Sequence, residues 1–136
     1  MAKLLADSSA LLALTDRDDR HHAAASDFLR QHPRLRLVAT ELIVAEVATR
    51  LRARGDAERA AGFARSLLEG GRYEVVFIEP DLFRAALDRM VRLRDKRLSL
   101  TDCASFELMD RLGLRAAFTF DRDFRDCGYE MVPAVR

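Results

Sequence analysis

At 136 residues the chain fits one domain, since a protein near this length buries about two-thirds of the surface its unfolded form exposes, enough for one sizeable core. Hydrophobic residues at 49% and charged residues at 33% exclude both a disordered acidic chain and a membrane-embedded one. A net charge of +1 excludes capture of nucleic acid by bulk charge and leaves only a local basic rim open to such a partner.

In chain order, Lys3 to Ala6 reads as a short apolar strand, and Asp7-Ser8-Ser9 supplies N-cap chemistry for a helix opening with Ala10-Leu11-Leu12-Ala13-Leu14. Residues 18 to 32 carry Ala23, Ala24, Phe28 and Leu29 at helical spacing and stop before Pro33, after which Leu35 to Ala39 alternates like a strand. Thr40 caps a helix running to about Arg54, with Gly55 as its stop, and Asp56 to Glu69 forms another that ends at Gly70-Gly71. Tyr73 to Ile78 is the next strand. Pro80 opens a long helix to about Asp95, followed by a basic turn, Lys96-Arg97-Leu98. Ser99 or Thr101 caps a helix ending near Gly113; Ala116 to Phe120 is a strand, Asp121 to Cys127 a short helix or turn, and Tyr129 to Val132 a last strand.

Strands and helices alternate throughout, which predicts an α/β domain over 1–136: a mainly parallel sheet of about five strands, helices on both faces, and a ligand site outside the carboxyl ends of the strands. No repeat, low-complexity tract or linker divides the chain. The longest apolar runs are too short to span a bilayer and Met1-Ala2-Lys3 leads into the first strand without a cleavage pattern, so a cytoplasmic protein with no membrane partner is expected. Cys103 and Cys127 lie outside zinc or CxxC spacing and read as free thiols.

The acids carry the chemistry, and each has a plain structural explanation beside the functional one. Asp7 alone is an N-cap; Asp102 alone completes a capping box with Ser99; Asp121, with Asp123 two residues on, could be turn chemistry after a strand. Glu46 sits within the apolar stretch Leu42 to Ala48, where it needs a partner, and Arg50 one turn on could serve. Together, four acids spread over the chain, at least three of them at strand ends or helix starts, fit a cage of hard oxygen ligands for Mg²⁺ or Mn²⁺, in which mutual repulsion is costly without a cation.

Other chemistries lose support. His21, His22 and His32 lack the i, i+4 pairing of a transition-metal site and read as solvated; Ser8 and Ser9 have no nucleophile-elbow glycines, and the glycines form no phosphate-binding loop. Of 23 basic residues 21 are arginine, which suits phosphate contact, with Arg50, Arg52, Arg54 and Arg92, Arg94, Lys96, Arg97 as runs that could equally be solvated helix faces. The Ala- and Leu-rich helices from Thr40 to Glu69 either present an apolar face to a partner or supply core.

The blocks Leu-Leu-Ala-Asp7-Ser-Ser-Ala-Leu-Leu, Thr40-Glu-Leu-Ile-Val-Ala-Glu46-Val, Leu98-Ser-Leu-Thr-Asp102-Cys-Ala-Ser and Phe118-Thr-Phe-Asp121-Arg-Asp-Phe resemble, in order and spacing, the PIN-domain ribonucleases, and among them the VapC-type toxins of toxin–antitoxin modules. The resemblance runs the full chain. It implies a PIN-like fold with a metal site at Asp7, Glu46, Asp102 and Asp121, a small hydroxyl residue at Ser9, and Asp123 as an extra ligand, a group supporting a ligand or a turn residue. It further implies Mg²⁺- or Mn²⁺-dependent cleavage of RNA, a homodimer and an inhibitory antitoxin protein. Two other readings stand beside it: a phosphoacceptor signalling domain, which needs a lysine beside the acidic pocket, where Lys3 and Lys96 are the only lysines, and a PIN-like interaction module that no longer cuts.

Overall fold

The computed structural model describes residues 2–134; positions 1, 135 and 136 of the expected domain lie outside the described residues. Five strands, β1 (Lys3–Ala6), β2 (Arg36–Thr40), β3 (Tyr73–Val76), β4 (Ala116–Phe118) and β5 (Glu130–Val132), form one sheet in the order β3-β2-β1-β4-β5. Every neighbouring pair is parallel, with Leu4 opposite Leu37 and Ala6 opposite Phe118. Seven helices flank it among the described residues: α1 (Ser8–Thr15), α2 (His22–Gln31), α3 (Glu41–Ala53), α4 (Ala57–Leu68), α5 (Pro80–Arg92), α6 (Leu100–Leu112) and α7 (Arg122–Asp126).

Local signals set most boundaries. The Thr40 hydroxyl accepts from the Ile43 amide and starts α3; Asp56 caps α4; Ser99 and Asp102 form a reciprocal capping box at the start of α6. Gly113, at φ 70°, ends α6 in the left-handed conformation that an L side chain resists. Leu5, Val38, Phe106, Phe118 and Phe124 are fully buried, and the Phe106 ring lies between Phe124 and Tyr129.

Four elements end or start inside the bounds the sequence predicts, three of them because a side chain takes up backbone donors. The helix expected from residue 18 starts at His22, because Asp16 and Asp19 accept from the Asp18 and His21 amides and hold the chain in turns. β3 stops at Val76 rather than Ile78, whose amide is held by both carboxylate oxygens of Glu41. α5 ends at Arg92, followed by a 3₁₀ turn (Arg94–Lys96) and Arg97 at φ 53°. β4 ends at Phe118, since the Phe120 and Asp121 amides donate to the hydroxyls of Ser9 and Thr119.

The apolar stripe of residues 40–69 is core: Ile43, Val44, Val47, Leu51, Ala60 and Leu67 are buried. The exposed large apolar side chains lie mainly elsewhere, with Phe83, Leu87 and Val91 at four-residue intervals on α5 and Phe77 just before it. No helix among the described residues is long and apolar enough to cross a membrane.

α5 is fastened to α6 by Arg89, which bonds to Glu107, Asp110 and the Tyr129 hydroxyl while its guanidinium lies over the Phe106 ring. Its side chain is only 12% exposed and that of Glu107 only 17%, so removing Arg89 leaves a largely buried carboxylate unpaired. Arg89→Ala is therefore expected to lower the unfolding free energy by about 3 kcal/mol, read from the urea midpoint; a loss below about 1 kcal/mol would mean that the pair is effectively solvated.

Candidate active site

In the strand order the chain moves from β1 outward through β2 to β3, then returns to the other side of β1 as β4 and β5. The crevice between the carboxyl ends of β1 and β4 is thus the topological switch point, where a parallel sheet opens a site between diverging connections. Asp7 follows β1 and Thr119 follows β4, each one residue beyond the paired Ala6 and Phe118.

Asp7 is 2% exposed. Its Oδ2 accepts from the Ser9 hydroxyl at 2.8 Å, the Thr119 hydroxyl at 2.9 Å and, more weakly, the Ser9 amide at 3.4 Å. Each hydroxyl has one hydrogen, spent on Asp7, so the 3.2 Å approach between Ser9 Oγ and Thr119 Oγ1 is packing rather than a further bond. In return Ser9 Oγ accepts from the Phe120 amide and Thr119 Oγ1 from the Asp121 amide, both at 3.0 Å. Two backbone amides of the β4 exit are thereby relayed through two hydroxyls onto one carboxylate oxygen.

Asp102, Asp121 and Asp123 come together: one carboxylate oxygen from each lies within 4.8 Å of the others. Octahedral Mg²⁺ at about 2.1 Å from its ligands sets neighbouring oxygens about 3 Å apart and opposite ones about 4 Å apart, so a small inward movement suffices. Three hard anionic oxygens without nitrogen or sulfur donors fit Mg²⁺ or Mn²⁺ rather than a softer metal.

Electrostatics join the other acids to this group. Burial, opposed by its hydroxyl partners and reinforced by the charges of Asp102 and Asp121, pushes the Asp7 carboxyl up to about 6. Asp102 is raised by burial first and then by Asp121 and Glu46; Asp123 is raised by burial first and then by Asp121. Glu46 Oε1 accepts from the Ser8 hydroxyl at 3.2 Å and pairs with Arg50 at 3.1 Å, so it keeps the ion pair with Arg50 while facing Asp102 closely enough to act on it.

All six acidic and hydroxyl residues singled out in the sequence thus lie around one crevice, with Asp123 in the tight group and Asp7 and Glu46 beside it. Thr119 escaped the sequence reading, although it stands two residues before Asp121 in Phe-Thr-Phe-Asp; only the pairing of β1 with β4 makes it a neighbour of Asp7. Lys96, named in the sequence both in a basic run and as a lysine that a phosphoacceptor pocket would need, carries a charge that offsets that on Asp123. Lys3, by contrast, pairs with Glu74 at the far end of β1. The histidines are not simply solvated: His22 and His32 bond the carbonyls of Ala13 and Phe28 through Nδ1, and the His21 ring stacks on Phe120.

The sequence profile of the PIN domain matches residues 4–128. The 23S rRNA-specific endonuclease VapC20 of Mycobacterium tuberculosis is 27% identical over 126 residues, 93% of this chain and 95% of the relative. Ribonuclease VapC26 of the same organism is 32% identical over 123 residues, 88% and 87% of the two chains. The crystal structure of VapC20, described as a sarcin–ricin loop cleaving toxin, superposes with a TM-score of 0.83 at 26% identity, covering 93% of this chain and 95% of the other. VapBC2 from Rickettsia felis shares the fold alone, at a TM-score of 0.69 and 10% identity over 95% and 96% of the chains.

The raised Asp7 carboxyl has a consequence for stability. Its pKa in the folded protein lies above the ordinary value of 3.8, so ionising it costs stability, fully above about pH 6 and vanishing as pH falls toward 3.8. In the absence of divalent metal, Asp7→Asn is expected to stabilise the protein by about 3 kcal/mol at pH 7.5 and by less than about 1 kcal/mol at pH 4, measured by urea unfolding. Equal stability of the two proteins at both pH values would contradict the assignment of a strained carboxylate here.

Proposed function

This chain belongs to the PIN domain family, and from that premise we propose that it is a divalent-metal-dependent endoribonuclease of the VapC kind, acting as the toxin of a type II toxin–antitoxin pair. The observation that carries the reading is the convergence of Asp102, Asp121 and Asp123 within 4.8 Å at the switch point of the sheet, with Asp7 buried beside them. RNA as substrate is supported by the ribonuclease relatives VapC20 and VapC26, because hydrolysis by activated water does not itself use the ribose 2′-hydroxyl.

In this reading Asp102, Asp121 and Asp123 would hold Mg²⁺ or Mn²⁺, with the buried Asp7 as a further ligand. When bound, the ion acts as a Lewis acid that activates water and offsets charge on the phosphate. The chain supplies the rest. Ser9 and Thr119 hold the Asp7 carboxylate through Oδ2 and leave Oδ1 without a hydrogen bond among the described residues. Ser99 fixes Asp102 by the reciprocal bonds of the capping box. Glu46, anchored through Oε1 by Ser8 and Arg50, keeps Oε2 free to orient a water or reach the ion, and Arg50 stands ready to meet a phosphate oxygen.

A homodimer, an antitoxin partner and a cytoplasmic location belong to the same proposal. The unpartnered face of Phe83, Leu87 and Val91 with Phe77 supplies apolar surface that a partner protein would cover, and VapC20 is itself described as a toxin. Light scattering is expected to give twice the 15.4 kDa chain mass; a monomer at all concentrations would remove the dimer.

Cleavage of single-stranded RNA should require Mg²⁺ or Mn²⁺ and stop with EDTA. Asp102→Asn and Asp121→Asn are each expected to lower it by about 100-fold or more, beyond the effect of losing a group that merely supports a ligand, with thermal melts showing a folded protein. Full activity in both variants would sink the assignment.

A further inference from the structure

Residues 120 to 123 alternate in what they face. The carboxylates of Asp121 and Asp123 belong to the acidic group, while Phe120 and Arg122 line a separate pocket of about 360 Å³ together with Arg20, His21, Arg125 and Met131. The two sites share this stretch of chain as a common wall. The His21 ring stacks on Phe120 at 4.2 Å between centroids and within 2° of parallel. Arg20 Nε donates to His21 Nε2 at 3.1 Å and holds the ring in place on Phe120.

Charge in the pocket is lopsided. Three guanidiniums line it against one carboxylate, Glu130; Arg122 makes no ion pair among the described residues, and Arg125 meets only Asp126, at 3.8 Å. Holding the loop in place does not account for the stack, because turn bonds from Asp16 and Asp19 and the ion pair of Asp16 with Arg54 already fix residues 16–21. Phe120 is registered to the acids through its amide bond to Ser9 Oγ. A flat aromatic pair beside three guanidiniums in little contact with carboxylates matches the two halves of a nucleotide, a heterocycle that stacks and a phosphate that takes charged donors.

We propose that this pocket holds an unpaired nucleotide of single-stranded RNA next to the bond being cut, its base on the His21–Phe120 stack and its phosphate on Arg20, Arg122 and Arg125. The proposal rests on the ribonuclease reading and adds to it how the strand is gripped. Only an unstacked base can enter, so the pocket selects single strands and loops over duplex.

The test is fluorescence anisotropy of the full chain in EDTA, with labelled 12-nucleotide oligo-U and oligo-A, a duplex of the same length and polyglutamate as probes. His21→Ala and the exposed Arg122→Ala are each expected to weaken single-strand binding about tenfold, and His21→Phe to stay within about twofold of the original protein. Duplex binding should be little changed by His21→Ala. Unchanged single-strand affinity in folded Arg122→Ala and His21→Ala overturns the proposal, as do equal losses for duplex or polyglutamate, which would make the patch a general anion surface. Cleavage by the unaltered protein in Mg²⁺ separates the two readings. No cleavage with variant-sensitive binding removes the nuclease and keeps the pocket, whereas cleavage with insensitive binding removes the pocket alone.

Discussion

Everything at the site depends on one carboxylate oxygen. Asp7 Oδ2 gathers the Ser9 and Thr119 hydroxyls, and through them the Phe120 and Asp121 amides, so the exits of β1 and β4 are tied at a single point. Two strands that are neighbours in the sheet but more than a hundred residues apart in the chain acquire a fixed relative register beyond their last ladder bond. The turn that follows, with Asp121 accepting from the Asp123 amide at 2.9 Å, is then set by that register rather than by its own residues alone.

This arrangement is held against a cost. Charge-assisted bonds to a carboxylate contribute about 1.5–3 kcal/mol each, yet the Asp7 carboxyl still ends at about 6, so burial and the neighbouring acids outweigh its partners. A core built for stability alone would put a neutral side chain there. A cation bound among Asp7, Asp102 and Asp121 would reverse the balance, turning their repulsion into shared attraction and stabilising the folded form by mass action.

The same geometry shows why sequence reasoning could rank the acids but not separate structural from functional roles. Asp7 Oδ2 takes the hydroxyls, Asp102 Oδ2 takes the Ser99 amide, Asp121 Oδ1 takes the Asp123 amide and Glu46 Oε1 takes Ser8 and Arg50, and the second oxygen of each accepts no bond among the described residues. Capping therefore does not exhaust these carboxylates; one oxygen serves the fold and leaves the other without a bond among the described residues. Strand–helix alternation was legible because parallel strands and amphipathic helices write themselves in local periodicity. The early end of β4 was not, because the donors leaving its ladder go to Ser9 and Thr119, partners that only the strand order reveals. Thr119 stayed hidden for the same reason, and His21 because its partner Phe120 lies about a hundred residues away.

A net charge of +1 conceals a strong local separation. Along residues 120–125 the acids turn into one crevice and the arginines line the adjoining pocket, so opposite charges alternate in sequence yet segregate in space. That separation arises where Phe120 and Asp121 leave the ladder of β4 and Arg122 and Asp123 open α7, with the amides of Phe120, Asp121 and Asp123 each held by a side-chain oxygen. A regular strand would also have alternated its faces, but would have needed a paired neighbour covering one of them. Freed from the sheet and held by side-chain oxygens, this stretch sets an acidic face and an arginine-lined face side by side.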